Sequence, residues 1–122
     1  MHKNRVGRDQ LESLRDALVV TGEREQLDVI APFSGAPFTS IPAGTEADVE
    51  AAVERAEAAQ TSWADRPVTE RAAVLERYAD HVLDAQDELL DIAQLETGKT
   101  RRDAFEEVLD VVQTATYYAD AG

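Results

Sequence analysis

Gln94 to Val108, reading QLETGKTRRDAFEEV, ends one helical pattern on a glycine and begins another. Leu89, Ile92, Ala93 and Glu96 recur at helical spacing up to this point. Gly98 then stands where a helix end needs the left-handed conformation that satisfies its last carbonyls, which costs glycine nothing. Lys99 falls beside the negative end of that helix. Thr100 is placed to cap the next helix, with Asp103 three residues on, near the free amides of its first turn. The stretch therefore predicts a helix-glycine-helix joint.

Gly98, Lys99 and Thr100 also spell the end of a phosphate-binding P-loop. That loop needs a glycine five residues earlier and a strand leading in. Position 93 is Ala93, inside an amphipathic pattern, so no nucleotide triphosphate site is expected.

Towards the N-terminus, residues 1–8 are polar and basic and read as a disordered start. Asp9 can cap a helix over 9–21 that buries Leu11, Leu14 and Leu18 and closes near Gly22. Leu27 to Ala31 and Pro37 to Ile41 read as strands joined by Pro32, Phe33, Ser34, Gly35 and Ala36, a hairpin within 27–42. Four helices follow within 45–119. Thr45 and Asp48 make a capping box for the first, whose stripe is Val49, Ala52, Val53, Ala56, Ala59 and Trp63. Trp63 reads as a core or edge anchor, since no basic residues surround it to hold a nucleic acid.

Pro67 breaks the chain and Thr69 is expected to cap the next helix, with Val74, Leu75, Tyr78, Val82 and Leu83 inward and Glu70 and Arg71 at the surface. His81 lies beside Asp80 and Asp84, but no second histidine or cysteine joins it, so no metal site is expected. The helix Asp87 to Thr97 leads to the joint. The last helix runs from Asp103 towards Ala119 with Phe105, Val108, Val112, Ala115 and Ala119 as its stripe. That stripe lasts about two heptads, too few for a coiled coil.

At 122 residues the chain suits one domain, here 9–122, with a net charge of -13 on a surface whose lysines are only Lys3 and Lys99. Such a surface repels nucleic acid and anionic membranes, both of which need cationic patches. A salt-rich cytoplasm would screen the self-repulsion, and a halophilic source is expected on that ground. The chain has no cysteine, which removes thiol nucleophiles and thiolate metal sites. No apolar run reaches the length of a membrane span, and a cytoplasmic location is the default.

Glu96, Thr97, Gly98 and Lys99, followed by Arg101, Ala104, Phe105, Glu106 and Glu107 and then Tyr117, Tyr118 and Ala119, resemble the N-terminal quarter of the aldehyde dehydrogenase superfamily, and within it the succinate-semialdehyde dehydrogenase branch. Glu70, Arg71, Ala72 and Leu75 resemble the family's ERAxxL signature, and Ala31 to Gly35 stand in the place of its NPxTG turn. The resemblance covers about Val29 to Gly122. It implies a mainly α fold with a small β-hairpin, the N-terminal part of an aldehyde dehydrogenase-like α/β fold, with the helices packed without the Rossmann sheet.

The full-length family oxidises an aldehyde to a carboxylic acid with NAD or NADP, through a thiohemiacetal on a cysteine, hydride transfer, and hydrolysis by a glutamate-activated water. Its oxyanion asparagine, nucleotide-binding glycine motif, glutamate and cysteine all lie beyond the point matching Gly122. The resemblance therefore carries over no catalytic, cofactor-binding or metal residue, and no cofactor is expected on this chain. In some members a carboxylate on the last helix lies by a monovalent cation site, and Glu107 is the corresponding position. The expectation is a truncated, inactive dehydrogenase segment whose partner is the remainder of the enzyme or another subunit. The alternative is an autonomous acidic helical protein-interaction module. A segment should leave helix faces uncovered, whereas a module should close its own core.

Overall fold

The computed structural model describes residues 6–18, 20 and 22–121. Its elements are α1 (Arg8–Asp16), β1 (Gln26–Ala31), β2 (Ala36–Pro42), α2 (Glu46–Ala64), α3 (Val68–Asp84), α4 (Gln86–Thr97) and α5 (Arg101–Ala121). The chain is mainly helical, with one two-stranded antiparallel sheet among the described residues.

The hairpin pairs Gln26 with Pro42 through to Val29 with Thr39, then shifts so that Ile30 faces Pro37 and Ala31 faces Ala36. Phe38 is thus the extra residue of a bulge, which suits a strand whose Pro37 cannot donate to a ladder. The Ala31 carbonyl accepts from the amides of Ser34 and Gly35 at 3.1 and 2.9 Å, closing the turn.

The helix starts follow local chemistry. Thr45 and Asp48 form the reciprocal capping box of α2. The Thr100 hydroxyl accepts from the Asp103 amide at 3.2 Å at the head of α5. The start of α3 differs from expectation: Pro67 is its N-cap and Thr69 lies inside the first turn. Proline's φ of -52° already matches a helical entry, so the helix begins before threonine can cap it. Helix α1 also differs, with Gly7 rather than Asp9 at its N-cap and an end at Asp16. The expected continuation enters β-branched Val19, Val20 and Thr21, poor helix formers. Residues 19 and 21, and 1–5 of the expected disordered start, lie outside the described residues.

Helix α5 packs mainly on α3 and then on α4, and α4 also meets β1. Leu90, Ala104 and Val108 form the core cluster, with Val82 and Ala93 against it. The buried apolar residues described are Ala31, Ala79, Leu90, Ala104, Val108, Ala115 and Ala119, mostly alanine. The expected inner faces hold in part: Val108, Ala115 and Ala119 of α5 are buried and Val112 half-buried, and Val74, Leu75 and Val82 of α3 are half-buried, while three expected residues face outward. On α5, Ala104 is 0% exposed while Phe105 is 41% exposed. On α3, Ala79 is buried while Tyr78 is 51% exposed and Leu83 also faces outward. Alanine lets two helix backbones approach closely, so the seam selects the small side chains and leaves the large ones along its margins. Helix α2 has no buried residue.

Gly98 has φ of +72°, and a Cβ there would lie 2.9 Å from Cγ of Pro32. Gly98→Ala should destabilise the chain by about 1–3 kcal/mol, combining left-handed strain with displacement of the hairpin turn. Gly44→Ala, where a Cβ meets nothing within 4 Å, is the control. Urea titration followed by circular dichroism in concentrated KCl measures both.

Candidate functional site

The joint between α4 and α5 holds three of the five ion pairs among the described residues. Thr97 donates its hydroxyl to the Ala93 carbonyl at 2.5 Å, and the Lys99 amide donates to that hydroxyl at 3.3 Å. Gly98 turns the backbone, its amide donating to the Gln94 carbonyl at 3.0 Å. Lys99 Nζ pairs with Glu107, one helical turn and more into α5. Arg101 reaches back along α4 to Asp91 at 2.5 Å, Asp87 at 2.7 Å and Gln94 Oε1 at 3.2 Å. The bond to Asp91, then that to Asp87, pushes the Arg101 guanidinium above its ordinary range against the opposing effect of burial.

This geometry is a clamp between two helices. The residues before Gly98 are helix α4, with no strand leading in, and the lysine of the apparent Gly-Lys-Thr motif is turned onto a carboxylate of its own chain. Glu107, the position that the resemblance sets beside a cation, is the partner of that lysine.

A second bond fixes the entry to α2. Asp48 accepts from the Thr45 hydroxyl and amide, both at 2.8 Å, and from Arg24 at 2.8 Å. The Thr45 bonds, with Arg24 adding to them, hold this carboxyl below its ordinary range. Trp63, at the far end of the helix, is half-buried, and the Arg66 guanidinium lies 5.7 Å from its ring centroid. The expectation that no basic residue stands near Trp63 is thereby corrected. Arg66, three residues after Trp63 and two beyond the end of α2, was available in the sequence. Arg71 is half-buried too, not on the open surface, and its Nε has no acceptor among the described residues.

His81 is exposed on α3. Among the described residues no group of three or more histidines, aspartates or glutamates could hold a metal ion, and no helix is long and apolar enough to cross a membrane. The joint and the α2 cap contain neither a nucleophile paired with a base nor a phosphate cradle. Their chemistry is that of holding helices in place.

The family profile described as "Aldehyde dehydrogenase family" matches residues 19–122. The chain belongs to the aldehyde dehydrogenase family. It matches the N-terminal segment of that family. It is 55% identical over 87 residues to a Mycobacterium tuberculosis protein named "Putative succinate-semialdehyde dehydrogenase (NADP+) 2", covering 71% of this chain and 17% of that protein. A Mycolicibacterium smegmatis protein named "Putative succinate-semialdehyde dehydrogenase (NADP+)" is 49% identical over 96 residues, 79% of this chain and 19% of the relative. The Deinococcus radiodurans succinate-semialdehyde dehydrogenase (NADP+) is 38% identical over 93 residues, 76% of this chain and 20% of the relative. The chain thus spans less than a quarter of the length of the curated aldehyde dehydrogenases it matches. No solved structure gives a significant match.

Two outcomes are expected from the ion pairs. Arg101→Gln should cost ~1 kcal/mol, because the site is partly solvated and surface pairs are weak. A double-mutant cycle should assign most of the coupling to Asp91, whose side chain is 18% exposed, and little to Asp87, at 91%. For Asp48 the folded carboxyl titrates below its unfolded value, so the unfolded chain binds the extra proton. Its stabilisation is present above about pH 4 and is lost as the pH falls through the folded value. Thermal melts between neutral pH and pH 3 should show a shallower acid limb for Asp48→Asn than for the parent chain.

Proposed function

We propose that this chain is the N-terminal segment of a succinate-semialdehyde dehydrogenase-like enzyme that uses NADP, and that it is inactive without the rest of that enzyme. The observation that carries the reading is α2, which runs for 19 residues with none buried, its Val49 63% exposed and Val53 also open to solvent. A helix with an apolar stripe on that scale is stabilised by packing, and no other element packs extensively on this one among the described residues. The unsatisfied Arg71 Nε and the small alanine core point the same way. An autonomous module would bury larger side chains than these.

The substrate and cofactor come from the relatives' names, each a succinate-semialdehyde dehydrogenase with NADP. Oxidation of an aldehyde through a thioester requires a thiolate, and the chain contains no cysteine. The role left to this segment is structural: its hairpin and helices form one wall of the enzyme. Its charge of -13 fits a salt-rich cytoplasm, where screening relieves self-repulsion.

Succinate semialdehyde and NADP supplied to the chain alone should give no NADPH. The chain joined in frame to the downstream part of the Mycolicibacterium smegmatis relative should give NADPH, as should that relative carrying its own N-terminal segment. In low salt the isolated chain should bind a hydrophobic dye and melt without cooperativity. A sharply melting monomer in low salt, together with a dead chimera beside an active parent, would overturn the reading.

A further inference from the structure

Helix α1 lies ahead of the region that the family profile matches, which begins at residue 19. Leu11, Leu14 and Leu18 recur along it and the turn after it at steps of three and four. With Val29 of β1, Phe38 and Ile41 of β2 and Ile92 of α4 they line a cavity of about 170 Å³. Leu11, Arg15, Phe38 and Thr39 also line a second cavity of about 440 Å³, which is walled by Glu12 and Asp28. The leucines of α1 therefore face the hairpin and the middle of α4.

The contact is only half made. Leu14 and Leu18 are still substantially exposed, and no other element packs extensively on α1. Among the described residues its one side-chain hydrogen bond runs from the Arg15 guanidinium to Gln26 Oε1 at 3.0 Å, a neutral acceptor. Three carboxylates, Glu12, Asp28 and Glu96, line the two cavities against Arg15 alone. None of the three is in an ion pair among the described residues, and the whole chain carries a charge of -13. Apolar attraction and like-charge repulsion thus act on the same contact in opposite directions. Salt removes the repulsion, because the screening length falls from about 30 Å at 0.01 M to about 3 Å at 1 M.

We propose that α1 is a strap closed by salt. At high ionic strength its three leucines seat on Val29, Phe38, Ile41 and Ile92, and on dilution it lifts from them while the α3–α5 core stays formed. Residues 17–25 join it to β1 without a helix or strand among the described residues, which gives it the slack to move. The face beneath it is apolar, so the strap sets the ionic strength below which that face is open to solvent. This device belongs to α1 and its seat and stands apart from the dehydrogenase reading.

The absence of cysteine makes a direct test possible. Val29→Cys places a thiol under α1, Val108→Cys one in the α3–α5 core, and Val49→Cys an exposed reference on α2. Alkylation of each full-length variant is followed by mass between about 0.01 and 1 M KCl, with rates divided by that of Val49→Cys. The Val29→Cys thiol should react at least about tenfold more slowly at the upper end, an occlusion worth about 1.4 kcal/mol. On dilution it should open before the Val108→Cys thiol does. Leu11→Ser with Leu14→Ser should abolish the protection. Glu12→Gln with Asp28→Asn should move its midpoint to lower salt, whereas Glu54→Gln with Glu57→Gln, which remove the same charge from α2, should not. A Val29→Cys thiol whose reactivity is the same at every ionic strength, or is protected equally without the two leucines, would overturn the strap. Opening in step with Val108→Cys would overturn it too, since the whole core then loosens, as would a midpoint that the α2 pair shifts as far as the pair flanking Arg15 does.

Discussion

Pro32 rests against Gly98, and this contact joins the two halves of the described structure. A β-carbon at position 98 would lie 2.9 Å from the proline ring, so the turn of the hairpin approaches the helix joint as closely as it does only because no side chain intervenes. The same glycine holds φ at +72°, the conformation that ends α4 and sets the direction in which α5 departs. One residue thus meets two demands, a backbone twist and a vacant β-position, which no other amino acid satisfies together. Beside this contact α4 also meets β1, while Arg101 and Lys99 fasten α5 across the other side of the joint.

Away from that contact the structure is held by short-range packing of small groups. Ala79, Ala104, Ala115 and Ala119 bring α3 and α5 together with little side-chain volume between them. Close backbone approach yields many weak dispersion contacts but removes little apolar area from water, and area removal is the larger source of folding free energy. The large apolar side chains lie at the margins, where neighbouring polypeptide can cover them. The distribution supports the proposed reading of the chain, which spans about a fifth of its relatives, as one segment of a longer polypeptide.

The parts of this arrangement legible in the sequence are those governed by a few adjacent residues. Gly98 as a helix stop, Thr45 with Asp48 as a reciprocal cap, Thr100 as the cap of α5 and the proline-glycine turn of the hairpin depend on bonds within about four positions. The inward faces of α3 and α5 were legible in part: Val108, Ala115 and Ala119 are buried and Val74, Leu75 and Val82 half-buried where periodicity puts them, but Phe105, Tyr78 and Leu83 are not. Apolar periodicity gives weight to Phe105, Tyr78 and Leu83, whereas the seam selects Ala104 and Ala79, one position away and about 100° around the helix. Alanine is compatible with either face, so its role is decided by what packs opposite. The bulge at Phe38 and the stacking of Arg66 on Trp63 likewise depend on partners whose positions are set after the local elements form. The family likeness was legible because it rests on a contiguous run at the joint.

The anchoring of α2 has a mechanical consequence. Arg24 and Asp48 tie its first turn to the loop ahead of β1, and among the described residues no other ion pair or side-chain hydrogen bond links α2 to another element. Nineteen residues at 1.5 Å each make a rod about 28 Å long, pivoted at one end. A tilt of about 10° at the cap would sweep Trp63 through about 4 to 5 Å, a displacement comparable with the pitch of a helix. The distal end therefore has the longest moment arm, and the least force applied there would set the orientation of this rod.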